Sequence, residues 1–138
     1  MREIKFRGKR VDGLGWVYGF LFKSWERYLI LWGMKNSVPD ATEVIAETVG
    51  QYIGLHDKES NKLHEGDIVK IFTDKWIIAV VRIEYGIPIF TSVDFADTYE
   101  YVSEYLQYDG GYGWVDCELI GNIHDNPELP EERRDSNE

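Results

Sequence analysis

The chain has 138 residues and a single cysteine, Cys117, so no disulfide can close within it and no Cys-x-x-Cys pair offers a zinc or redox site. A reducing compartment fits that composition. Long apolar runs are also missing. The longest, Trp76-Ile77-Ile78-Ala79-Val80-Val81, is far shorter than a membrane span, and Met1 to Arg7 holds no apolar signal core. The expectation is a cytoplasmic protein with no membrane contact.

Positive charge is missing from one long stretch. Residues 83 to 132 contain no Lys or Arg but twelve acids, whereas residues 1 to 10 carry five basic groups, Arg2, Lys5, Arg7, Lys9 and Arg10, against Glu3. The net charge of -10 repels phosphates, which excludes general nucleic-acid coating. No internal repeat is present.

What is there points to a folded domain. The sequence is 43% hydrophobic and 14% aromatic, too apolar for a disordered chain. A globule of this length buries about two-thirds of its unfolded surface, enough for one core without staples.

Strand signals dominate. Ile4 to Arg7 alternates apolar and basic residues, Asp12-Gly13-Leu14-Gly15 reads as a turn, and Trp16 to Phe22 is a return strand with Gly19 marking a bulge or close approach. Arg27 to Trp32 is a further strand. Asn36 to Asp40 reads as a loop around Pro39, and the paired glycines of Gly50-Gln51-Tyr52-Ile53-Gly54 suggest a tightly turned backbone. Leu63 to Asp67 feeds a central strand, Ile68 to Phe72, followed by the β-branched run Trp76 to Glu84 and by Ile87 to Val93. Phe95 to Leu106 has apolar residues at helical spacing and predicts a short helical or irregular insertion. Trp114 to Ile123 is the last strand, and Asn126-Pro127 can cap one helical turn.

The expected architecture is mainly β: a small SH3-like pseudo-barrel or folded mixed sheet spanning residues 1–126, followed by a polar, frayed tail over 127–138.

Little chemistry stands out. His64-Glu65-Gly66-Asp67 places an imidazole and two carboxylates within four residues, the donors a metal or an acid–base pair would use. The same residues are ordinary turn chemistry before a strand, with Gly66 free to take positive φ and Asp67 able to accept from nearby amides. The His56-Asp57 and His124-Asp125 pairs read as loop residues, and Cys117 as a buried thiol. The expectation is therefore no catalytic residue, no metal and no cofactor. Tyr99, Tyr101, Tyr105, Tyr108, Tyr112 and Trp114 form a dense aromatic set among acids. Without Lys or Arg beside it, that set suits a protein interface better than base stacking.

The order and spacing of several segments resemble the YopX family of phage and prophage proteins. The segments are Met1-Arg2-Glu3-Ile4-Lys5-Phe6-Arg7-Gly8-Lys9-Arg10, Trp16-Val17-Tyr18-Gly19, Glu47 to Lys58, Glu65-Gly66-Asp67-Ile68-Val69, and Ile120 to Leu129. Residues 23 to 45 and 74 to 117 are the variable parts. The resemblance implies a folded-sheet pseudo-barrel, a phage or prophage origin in a bacterial cell, self-association, and no catalytic residues. It also marks Gly50, Gln51, Gly54, Glu65, Gly66 and Asp67 as a structural motif. His64 and His124 stand where the family often has an aromatic residue, so neither reads as a required ligand.

The resulting functional expectation is a non-enzymatic accessory protein that forms homo-oligomers and binds a host or phage protein. Three alternatives stand beside it: an acidic DNA mimic built on residues 94 to 118, a nucleic-acid module using the basic N-terminal strand, and a hydrolase around His64, Glu65 and Asp67.

Overall fold

The computed structural model describes residues 5–72, 76–92, 100–102 and 116–129. They form eleven strands: β1 (Phe6–Lys9), β2 (Trp16–Ser24), β3 (Arg27–Lys35), β4 (Val38–Val44), β5 (Gly50–His56), β6 (Lys62–His64), β7 (Asp67–Phe72), β8 (Trp76–Glu84), β9 (Ile87–Ser92), β10 (Glu100–Val102) and β11 (Cys117–Asn122). A short 3-10 turn covers Ala46–Thr48. The mainly β expectation is met. The ladders are antiparallel and make two sheets, with no closed barrel among the described residues.

The chain divides into two compact units, Met1–Tyr52 and Ile53–Glu138. In the first, β4-β3-β2-β1 lie in that order, and β1 then pairs with the start of β5 through Phe6↔Gln51 and Arg7↔Gly50. Alternation along β2 sends Val17 inward and Tyr18, Phe20 and Phe22 outward. Val17, Ile30 and Val44 form the small core, supported by Phe6, Leu21, Tyr28 and Val49. The sheet curls until the end of β1 meets β4 at the bridge Arg10↔Val44. There the Val11 N–H donates to Glu43 O at 3.1 Å and the Ile45 N–H to Lys9 O at 2.8 Å. Thr48 fastens this corner, its Oγ1 accepting from the Lys9 N–H at 2.8 Å and donating to Ile45 O at 2.6 Å.

Two expectations are corrected in this unit. Only Asn36 and Ser37 of the predicted 36–40 loop turn, both with positive φ (51° and 65°), and Val38, Pro39 and Asp40 already belong to β4. Proline is tolerated there because β4 ends the sheet order. The segment from Gly50 to Leu55 is extended β5, not a tight turn; among its glycines only Gly54 has a left-handed φ, 85°.

The second unit contains the rest of β5, β6, and a five-stranded sheet in the order β10-β9-β8-β7-β11. Its core gathers Ile53, Leu55, Leu63, Val69, Ile71, Ile77, Ala79, Val81, Phe90 and Cys117. β8 joins β9 through a two-residue turn, Tyr85-Gly86, whose φ angles of 51° and 77° suit a hairpin that follows the sheet's twist. Within the predicted helical insertion, Glu100–Val102 is strand, paired with Ile89 to Thr91 of β9, and 95–99 and 103–106 lie outside the described residues. After β11 the chain turns at Asn122, whose Oδ1 accepts from the His124 and Asp125 N–H groups at 3.0 and 2.9 Å. Of the expected tail, 130–138 lie outside the described residues. No helix among the described residues is long and apolar enough to cross a membrane.

Candidate functional site

The Glu65-Gly66-Asp67 turn is built as scaffold. Gly66 has φ 89°, in the left-handed region that costs a side-chain-bearing residue about 1–2 kcal/mol. Its N–H donates to Val81 O at 2.9 Å and its carbonyl accepts from the Ile123 N–H at 2.8 Å, which ties the turn to β8 and to the end of β11. Asp67 is buried and its Oδ2 accepts from the His64 backbone N–H at 2.7 Å. His64 is buried too. These residues therefore do not meet as an open acid–base pocket, and the described residues contain no group of three or more His, Cys, Asp or Glu able to hold a metal.

Asp57, read as a loop residue, organises the second unit's other turn. Its residue is 0% exposed. Oδ1 accepts from the N–H groups of Asn61 at 2.8 Å and Glu59 at 3.0 Å, and Oδ2 from the Leu119 N–H at 2.9 Å and Asn61 Nδ2 at 3.1 Å. Burial opposes the charge, but the Leu119 N–H and the other donors outweigh it and hold the carboxyl below its ordinary range. The Asp57-Lys58-Glu59-Ser60-Asn61 spacing was the available signal, an aspartate bonding amides two and four residues on. Burial, aided by the nearby charges of Asp57, Asp116 and Asp67, pushes the Cys117 thiol up to about 12, so it stays protonated.

The basic strand does not form one patch. Arg2 lies outside the described residues. Arg7 is buried, with its guanidinium 4.7 Å from the Trp16 ring centroid, and Lys9 Nζ is 6.0 Å from the same ring. Arg10 forks onto Asp12, with Nε and Nη2 donating at 3.0 and 2.7 Å. Lys5 lines a surface depression beside β2 and β3. Of the aromatic set, Tyr99, Tyr105, Tyr108, Tyr112 and Trp114 lie outside the described residues, and Tyr101 is placed in β10 by its backbone.

The surface feature that sequence reasoning missed is the outer face of β2 and β3. Tyr18, Phe20 and Phe22 are 52%, 57% and 43% exposed, and Trp32 and Met34 on β3 are 51% and 65% exposed. Phe20 pairs with Leu31 and Phe22 with Leu29 across the ladder. Trp32 is the extra residue of a bulge, since the β3–β4 register steps from Leu31↔Ala41 to Gly33↔Asp40, and its indole Nε1 donates to Thr42 Oγ1 at 2.9 Å. A groove of about 200 Å³ runs between these side chains, lined by Lys5, Tyr18, Gly19, Phe20, Leu31, Trp32, Gly33 and Met34. No titratable pair or nucleophile stands in it. Its chemistry is contact: large aromatic area, a flexible thioether and one ammonium, the composition of protein-binding surfaces. The outward alternation Tyr18-x-Phe20-x-Phe22 carried the signal. It was hidden because the inward positions Val17 and Leu21 are apolar as well.

The comparisons agree with the family resemblance. The YopX protein profile matches residues 5–131, so the chain belongs to the YopX family. No curated protein matches it.

Proposed function

We propose, from membership of the YopX family as the premise, that this protein is a non-enzymatic accessory factor of phage or prophage origin. It works in the bacterial cytoplasm as a self-associating module that binds a host or phage protein. The observation that supports this reading is the outer face of β2 and β3, where Tyr18, Phe20, Phe22, Trp32 and Met34 stand exposed on a regular sheet. Surface aromatics and methionine at that density favour protein contact, because burying each removes a large apolar area at low entropic cost.

Light scattering of the wild-type chain and of a Tyr18→Ser, Phe20→Ser double variant tests the reading, together with affinity capture from a lysogenic host. The wild type should have a mass above the monomer and retain a specific protein. The double variant should be monomeric and retain none. A monomeric wild type with an unchanged capture profile in the variant would defeat the proposal.

A further inference from the structure

We infer that Trp25, at the tip of the β2–β3 hairpin, anchors self-association by docking into the groove between Tyr18 and Met34 of a second copy of this chain. The inference rests on the β2–β3 face being a self-association surface and adds which residue fastens it and where.

Trp25 carries the first step. Ser24 and Arg27 are the last pair of the β2–β3 ladder, so Trp25 and Glu26 form a two-residue turn. Trp25 has φ 59°, while Glu26 lies outside the left-handed region. That is the pattern of a type II′ turn, whose first position is ordinarily glycine. A bulky side chain there strains the backbone. The indole recovers nothing from the fold, because Trp25 is 90% exposed. Backbone strain and a large apolar surface in water thus fall on one residue. Packing within the chain accounts for neither, whereas a contact with another molecule accounts for both: the tight turn holds out a tryptophan, a residue type enriched among those that dominate binding energy.

A receptor for the ring lies on the same hairpin but out of its own reach. Tyr18, Phe20 and Leu31 of the groove are roughly 16–23 Å along the strands from Trp25, at about 3.3 Å per residue. No indole spans that distance, so the groove can be filled only by the tip of another copy. A cavity of about 150 Å³ holds benzene, and the groove of about 200 Å³ has room for an indole. Tyr18, Phe20 and Trp32 offer ring faces and edges, and Met34 adapts to the outline. Two hairpins laid antiparallel and face to face place each tip on the other's groove, a two-fold contact that closes as a dimer.

Charge supports the same register. Glu26 is exposed beside Trp25 and has no ion pair among the described residues, whereas its basic neighbours are engaged. Arg27 Nε donates to Glu43 at 2.8 Å, and Lys23 Nζ lies 5.5 Å from the Tyr28 ring centroid. Lys5 is the one ionic side chain lining the groove. An indole seated there brings Glu26 towards Lys5, an attractive pair formed twice in the dimer.

Light scattering of the full-length chain should give twice the chain mass. Trp25→Gly relieves the strain and removes the anchor. The dimer dissociation constant should rise at least about hundredfold, while the urea midpoint, read where both proteins are monomeric, holds or rises. Tyr85→Gly is the matched control, since Tyr85 is 100% exposed with φ 51° at the β8–β9 tip; it should associate as the wild type does. Glu26→Lys and Lys5→Glu should each weaken association about tenfold, and the two together should restore it to within about threefold.

Wild-type association in Trp25→Gly, with Tyr18→Ser, Phe20→Ser monomeric, would overturn Trp25 as the anchor and leave the docking face standing. No recovery in the double charge reversal would overturn the register, and equal loss in Tyr85→Gly would overturn the specificity assigned to Trp25. A monomeric wild type would overturn the inference outright; partner capture that the Tyr18→Ser, Phe20→Ser change abolishes would then still support the face itself.

Discussion

The two compact units dispose of their apolar residues in opposite ways. In the second, β7, β8 and β9 place Ile71, Ala79, Val81 and Phe90 in one core at 0% exposure. In the first, the buried core is Val17, Ile30 and Val44, while Tyr18, Phe20, Phe22, Trp25, Trp32 and Met34 are exposed. A sheet with one buried and one wet face normally carries polar residues on the wet one. The exposed aromatic face of β2 and β3 is the exception, and it is the surface on which the proposed protein contact rests.

The largest effect is expected in the second unit's core. Phe90→Ala removes a fully buried ring that β9 contributes to the core and should cost about 3–5 kcal/mol in urea unfolding. A loss below about 1 kcal/mol would break the assignment of the folding core to this unit. Next comes Asp57→Ala, which leaves the Leu119, Asn61 and Glu59 amides without their acceptor and should cost about 1–3 kcal/mol. The same carboxylate has a pH signature. Its folded-state pKa is depressed, so its contribution is present above the unfolded value of about 3.9 and disappears as pH falls through the lower folded value. Urea midpoints measured downward from neutral pH should therefore fall below pH ~4, and Asp57→Asn should flatten that fall. Gly66→Ala ranks third at about 1–2 kcal/mol, since its φ of 89° suits no other residue type cheaply.

The order of these three effects mirrors what could be read from sequence. The Ile68 to Phe72 and Trp76 to Glu84 strands were legible because β-branched runs between turn residues admit few other structures. Gly66 was legible for the same reason, lying just before such a run. Asp57 was visible only as a polar residue, because its role depends on Leu119, 62 residues away. The Val38–Asp40 part of β4 was hidden by Pro39, whose meaning changes from breaker to edge residue only once the sheet order is known. The docking face was missed for a related reason. An aromatic alternation reads as core until the strand's neighbours show which side is covered, whereas the tyrosines of 99–112, dense among acids, read as an interface from sequence alone, and most of them lie outside the described residues.

The smallest effect on stability is expected where the effect on function is largest. Tyr18→Ser with Phe20→Ser removes two rings that the fold leaves largely exposed, so the unfolding free energy should move by no more than about 0.5 kcal/mol for each substitution. The same double change should abolish self-association and partner capture, because at an interface those rings provide most of the area that leaves water. Thermal unfolding and light scattering on one preparation read both quantities. Loss of stability comparable to Phe90→Ala would mean that β2 and β3 face a core after all, and the contrast between the units would collapse. Unchanged stability with unchanged association would leave the contrast in burial but strip it of its functional meaning. The combination expected, stability kept and association lost, follows only if the first unit holds its aromatics outward for a partner to cover.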